Sequence, residues 1–297
     1  MKNEILLTRR DFMKGSAVVA LGAVTGFTSE TVSTAGPSAR VVVVRDERVI
    51  DDTTFRVDGH IVQSMLDQAV MNLLSAESAD KVWSSLFSST DVVGIKSNVW
   101  QYLPTPSELE SALVKGVLRS GVPLENIAID DRGVLHNPVF KRATALINVR
   151  PLRTHHWSGI GGVIKNYVMF VPDPYNYHDD SCANLATIWQ LPIIRGKTRL
   201  NILSAIQIQF HGRGPHHFDK RYLFNYKGLI VGTDPVAVDA IGLRLVQATR
   251  TQHFSEERNL STPPHHILYA DTRHKLGISD PKRIELIKRG DMKGMLI

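Results

Sequence analysis

The sequence predicts an α/β fold with a mainly parallel sheet and flanking helices. Two patterns carry that class: six short apolar runs rich in β-branched residues, and amphipathic helical patterns between several of them. Length agrees, since a 35-residue leader followed by roughly 260 residues leaves enough chain for one large core. In such folds ligands gather beyond the carboxyl ends of the strands.

The first run is Val41–Val44. His60–Leu74 then places Ile61, Met65, Leu66, Ala69 and Leu73 along one helical face. After the run Val92–Lys96, Ser107–Leu118 repeats the helical pattern with Leu109, Leu113 and Val117; Gly121 closes that helix and Pro123 prevents its return. Ile127–Asp130 and Ala145–Asn148 are the next runs, the second lying in an apolar stretch that Pro151 ends. Leu200–Ser204 and Leu229–Val231 complete the set. Asp234 is a good N-cap and Pro235 a good first residue for a last, nearly all-apolar helix through Leu243. Val171–Asp180 and His211–Phe218 read as loops, placed either to carry a site or simply to cross the surface.

The densest chemistry lies from Arg153 to Asn166. Ile160, Val163, Ile164 and Tyr167 return at helical spacing, which predicts a helix starting near Ser158 with Gly159, Gly161 and Gly162 in its first turn. Each glycine costs roughly 0.5–1 kcal/mol relative to alanine inside a helix, so the three need a reason. Either an anion approaches bare N–H groups at a helix start, or two elements pack closely there. Arg153, His155, His156 and Lys165 crowd the junction and favour an anion. A Walker loop is excluded, because Lys165 lies between Ile164 and Asn166.

Lys96 and Asn98 follow a strand and would project at its carboxyl end. Asp130 and Asp131 follow another, where they can bind a metal, orient a histidine or start a turn. Asp239 is the anomaly of the apolar helix: a lone buried carboxylate is costly, so it is expected to meet Lys96 or a cation of the Arg153–Lys165 segment.

Thr8 to Lys14, with Arg9, Arg10, Phe12 and Lys14, precedes a small and apolar run from Gly15 to Phe27, which is the pattern of a twin-arginine export signal. That run is short of the roughly 20 apolar residues of a membrane helix. Ser33, Thr34 and Ala35 suit cleavage, with an uncleaved anchor as the alternative. The expected organisation is a signal over 1–35 and a single α/β domain over 36–297. The twin-arginine translocase is the partner during export, the destination is periplasmic or extracellular, and no stable membrane span remains after cleavage.

The single cysteine, Cys182, excludes an intramolecular disulfide and any four-cysteine iron–sulfur site. The net charge of +6 is spread without a basic block, which suits small acidic ligands and excludes a nucleic-acid surface. Three histidine pairs, His155 with His156, His216 with His217 and His265 with His266, raise the case for a divalent metal. Adjacent side chains diverge, so at most one of each pair would be a ligand.

Lys96 and Asn98 after an early strand, the basic Arg153–His155 run, the Lys165–Asn166 pair and the Asp234–Asp239 helix start together resemble family 362 of the domains of unknown function. The resemblance extends from about Val41 to the Asp234 helix. Arg153 stands where a lysine is usual and Ser97 where a proline is usual. The ferredoxin-like cysteine clusters of many relatives are absent here. The spacing of His155, Gly159, Gly162 and Lys165 is also similar to a motif of lactate racemase. That likeness implies an acid/base role for His155, a nickel pincer nucleotide joined to Lys165, and a metal ligand at His156, His178 or His211. The expectation is one site built from Lys96, Asn98, Arg153, His155, His156, Lys165, Asn166 and Asp239, binding an anion or a metal cofactor. It belongs either to an enzyme of the racemase or epimerase kind or to a non-catalytic periplasmic carrier.

Overall fold

Strand β1 (Ala39–Arg45) shows how the sheet is covered. Val41 and Val43 belong to one apolar cluster, Val42 and Val44 to another, so alternate side chains feed separate cores on the two faces. The computed structural model describes residues 38–212 and 218–297. The chain divides into two units, Met1–Ala35 and Gly36–Ile297, and the second is the one described. The export signal, with Arg9 and Arg10, and the pair His216 and His217 lie outside the described residues.

Helices α1 (Gly59–Leu74), α2 (Ala79–Leu86) and α3 (Ser107–Arg119) build one core, through Met65, Leu66, Trp83, Leu109 and Leu113. Asp58 caps α1 by accepting from the His60 and Ile61 N–H groups. Short α4 (Pro138–Lys141) follows β2 (Val93–Lys96) and β3 (Ile127–Asp130). β4 (Ala145–His155), β5 (Gly159–Gly161), α5 (Val163–Asn166) and β6 (Thr198–Gln209) come next, then β7 (Leu223–Phe224) and β8 (Gly228–Gly232). The chain ends with α6 (Pro235–Phe254), α7 (His265–Thr272) and β9 (Ile284–Gly290). Val236, Ala237, Val238, Ile241 and Leu245 of α6 fill the second core. Asp234 caps α6 through the Val236 and Ala237 N–H groups, and its other oxygen takes the Ile278 N–H.

The strand order is β3-β2-β4-β6-β8-β1-β9, with β5 against β4 and β7 against β6. β2 is parallel to β3 and β4, and β4 to β6, but β8 runs antiparallel to both β6 and β1. The sheet is therefore mixed, not purely parallel. A parallel return needs a crossover, usually helical; between Gln209 and Gly228 the described residues form no α-helix, and the chain comes back beside β6 in the opposite sense.

Pro151 does not end β4. It sits at a register shift between Pro151 and Arg153, an irregularity that spares a missing N–H, and the strand continues, wholly buried, to His155.

Candidate functional site

β2 and β3 end side by side at Lys96 and Asp130, level with Asn148 of β4, which runs on to His155. From His155 the chain folds back as a hairpin, pairing Arg153 with Gly161 and His155 with Gly159, before entering α5 at Val163. The helix expected from Ser158 is thus a turn and a strand. These strand ends and α5 surround a cavity of about 230 Å³ whose lining includes Asn98, Arg153, His155, Lys165, Asn166 and His178.

Asn166 ties the frame together. Its Nδ2 donates to Asn148 Oδ1 (2.9 Å), the Val149 carbonyl (3.1 Å) and the Lys96 carbonyl (3.2 Å). Lys96, fully buried, donates from Nζ to Asp131 Oδ1 at 2.5 Å and to the Ser97 carbonyl at 2.8 Å. Burial draws its ammonium down to about 8 against the pull of Asp131. Burial pushes the Asp131 carboxyl up, but the Lys96 charge and hydrogen bond outweigh it and hold it below its ordinary value.

Two arginines stand beside this pair. Arg150 Nη1 donates to the Gly162 carbonyl at 3.1 Å, and burial draws Arg150 down to about 10. Arg153 is 5 % exposed, lies over the Trp100 ring at 4.1 Å, and leaves Nε and Nη1 without a hydrogen-bond partner among the described residues. Burial, then Arg150, pulls it well down, yet a guanidinium stays charged.

Burial and the Lys165 charge hold the His155 imidazolium well below its ordinary range, so the ring is neutral. The Trp157 N–H donates to its Nδ1 at 3.2 Å, which leaves the ring proton on Nε2. His155 therefore offers a donor there, at the residue for which the racemase likeness implies an acid/base role. His178 has the opposite tautomer. Its Nδ1 faces the Tyr175 carbonyl at 3.2 Å and must carry the proton, so its Nε2 lone pair accepts from Lys165 Nζ at 2.9 Å. Lys165 also reaches Cys182 Sγ at 3.6 Å, and burial draws its ammonium down to about 8. Asp180, Ser181 and Cys182 hold consecutive positive φ angles of 45°, 55° and 63°, a conformation costing roughly 1–2 kcal/mol per residue. It turns Cys182 toward this lysine.

The glycines are used for packing. A Cβ on Gly159 (φ +74°) would come 2.5 Å from the Thr262 carbonyl, one on Gly161 would come 2.8 Å from Arg150 Nη2, and one on Gly162 would overlap the Asp239 carboxylate. The Val163 and Ile164 N–H groups donate to Asp239 Oδ1 (2.6 Å) and Oδ2 (3.0 Å). Asp239 therefore meets backbone N–H groups, not the salt bridge expected from Lys96 or the Arg153–Lys165 segment. It caps α5 as the anion itself and does not line the cavity. Burial pushes it up to about 7, opposed by those two N–H groups and by Arg150.

Those contacts also test a pincer nucleotide. Its phosphate would need the α5 amides that Asp239 occupies, and a nucleotide would need more room than a cavity below the roughly 300–1,000 Å³ of ordinary drug-sized sites. The residues do not fit that group. Among the described residues no three His, Cys, Asp or Glu side chains gather to hold a metal. His211 bonds Arg250 Nη1 at 2.8 Å, and neither it nor His156 is among the lining residues. Arg150 and Trp100 are not singled out in the sequence reading, and Asp131, for which metal binding, orienting a histidine or starting a turn stood open, is the buried partner of Lys96. A charged residue inside the apolar run before Pro151 was the available sign of Arg150.

Two larger grooves lie elsewhere. One, of about 660 Å³, has mostly exposed charged walls such as Asp51 and Arg56; the other, of about 1010 Å³, is walled by Phe55, Tyr102, Phe218 and Phe224. Neither gathers buried titratable groups as the smaller cavity does, and that concentration is what marks chemistry.

Residues 135–244 match the family described as a domain of unknown function (DUF362), and residues 6–26 match the signal sequence of the twin-arginine translocation pathway. The first match holds β4, α5 and most of the cavity's cations. No curated protein and no solved structure matches the chain. The protein is thus an exported one with a segment that matches that family's model. It is handled by the twin-arginine translocase and bound for the periplasm or beyond, and no helix among the described residues is long and apolar enough to cross a membrane. Replacing Arg9 and Arg10 together by lysine is expected to strand folded protein in the cytoplasm; fractionation showing normal export of that variant would contradict a twin-arginine route.

Proposed function

We propose that residues 36–297 form one α/β domain that, after export, binds a small anion in the cavity at the carboxyl ends of β2, β3 and β4. Arg153 supports this most: a guanidinium buried to 5 % exposure with Nε and Nη1 unpartnered among the described residues is costly until a carboxylate or phosphate meets it. The charge balance agrees. Arg132, Arg150, Arg153 and Lys165 line the cavity, while Asp131, the acidic residue among its lining, is engaged by Lys96. The neutral His155 adds a donor without adding charge. The volume of about 230 Å³ suits an anion of a few heavy atoms.

Calorimetric titration with oxamate and with inorganic phosphate tests the reading. At least one should bind, and Arg153→Gln should weaken it at least tenfold, about 1.4 kcal/mol, because the side chain then offers no charge. Binding of neither anion, or equal binding by the variant, would overturn it. A carrier and an enzyme would share this pocket, and Lys165 is where they differ.

A further inference from the structure

We infer that Lys165 is a nucleophile that forms an imine with the carbonyl carbon of an α-oxo carboxylate whose carboxylate is held by Arg153. This rests on the anion-binding reading above and deepens it.

The site contains two buried lysines, and their partners separate their roles. Lys96 is locked at 2.5 Å to the Asp131 carboxylate, an ion pair that keeps it protonated and structural. Among the described residues Lys165 has no carboxylate partner: its Nζ meets His178 Nε2 at 2.9 Å and Cys182 Sγ at 3.6 Å. Both lysines are drawn down to about 8 by burial, so that property does not distinguish them; the geometry does. His178 is set as a base, because the Tyr175 carbonyl fixes the proton on Nδ1 and leaves the Nε2 lone pair on the lysine. It is only half-buried and can exchange protons with water, whereas Lys165 is 4 % exposed. A desolvated lysine beside other cations is the ordinary way an amine becomes nucleophilic near neutral pH.

The atoms balance without a further reactant. His178 Nε2 removes one proton from the Lys165 ammonium, and the amine adds to the carbonyl carbon to give a carbinolamine. The nitrogen loses its second proton to the former carbonyl oxygen, and the proton held by His178 returns to that same oxygen, which leaves as water. An ammonium and a C=O become a protonated C=N and one water, with no net proton gained. Arg153 holds the adjacent carboxylate throughout, and the His155 Nε2–H is available to the departing oxygen.

The purified exported protein is incubated with pyruvate and cyanoborohydride, and intact mass and peptide mapping locate the reduced adduct. Oxamate, which has the carboxylate but no ketone, is titrated in parallel. Selective labelling of Lys165, loss of label in Lys165→Arg, and a roughly 100-fold slower rate in His178→Gln are expected. The labelling rate should level off with pH near 8, not near the 10.5 of a free lysine. Oxamate binding without an adduct on Lys165, or labelling no faster than at exposed lysines, would overturn the nucleophile and leave anion binding standing. Absence of the adduct together with binding of neither oxamate nor phosphate would overturn both.

Discussion

Gly162→Ala is expected to destabilise the fold by about 4 kcal/mol or more, a large part of the roughly 5–15 kcal/mol that holds a domain. The new Cβ would overlap the Asp239 carboxylate, which cannot swing away without releasing the Val163 and Ile164 N–H groups. Nor can α6 withdraw, since a Cβ at Gly242 would already lie 2.5 Å from Leu203, so the helix is seated directly on the sheet. Overpacking accounts for roughly 1–3 kcal/mol and the two charge-assisted hydrogen bonds for the rest. Gly162 has φ −98°, so backbone strain plays no part. Urea unfolding reads the effect; a variant with the unchanged midpoint would show that Asp239 is not pinned where it is seen.

The same contact explains how an anion site and a helix cap come to look alike in sequence. Glycines ahead of a helix start signal close approach by something negative, and here that partner is a carboxylate 76 residues downstream. Nothing local to Gly159–Gly162 distinguishes a protein carboxylate from a ligand phosphate. Asp239 was legible as an anomaly because it sits in an apolar helix, but a cation was the expected partner, and two backbone N–H groups serve instead.

Much of the fold could be read because buried strands are apolar and helices repeat every 3.6 residues. Val41–Val44 and Ile127–Asp130 lie in strands, and α1 and α3 fall within a residue of their patterns. β9 escaped notice because Glu285, Lys288 and Arg289 charge it, as befits a sheet edge. The reversed sense of β8 depends on its connection, not its residues. Asn98, Arg153, His155, Lys165, Asn166 and His178 do meet at one cavity, since residues just past parallel strands share one end of a sheet. What local sequence could not give is their pairing: Arg153 on Trp100, Lys96 on Asp131, His178 on Lys165.

Lys96→Met is expected to cost about 3–5 kcal/mol, because it leaves the Asp131 carboxylate buried without its cation. Adding Asp131→Asn should return part of that loss: the amide still accepts the Val99 N–H, now received at 3.0 Å, and carries no charge to be stranded. The pH dependence gives a second signature. In the folded protein Lys96 titrates near 8, and in the unfolded chain near 10.5. Between those values the unfolded chain binds more protons, so on this account stability rises with pH across the window, by at most about 1.4 kcal/mol per unit. Lys165 contributes a slope of the same sign over the same range, which makes the prediction a difference: Lys96→Met should rise less steeply than the parent between pH 8 and 10. Parallel stability curves would mean that Lys96 is not desolvated and that its pair with Asp131 is a surface contact. In that case the single substitution should cost under about 1 kcal/mol, and the second would have nothing to restore.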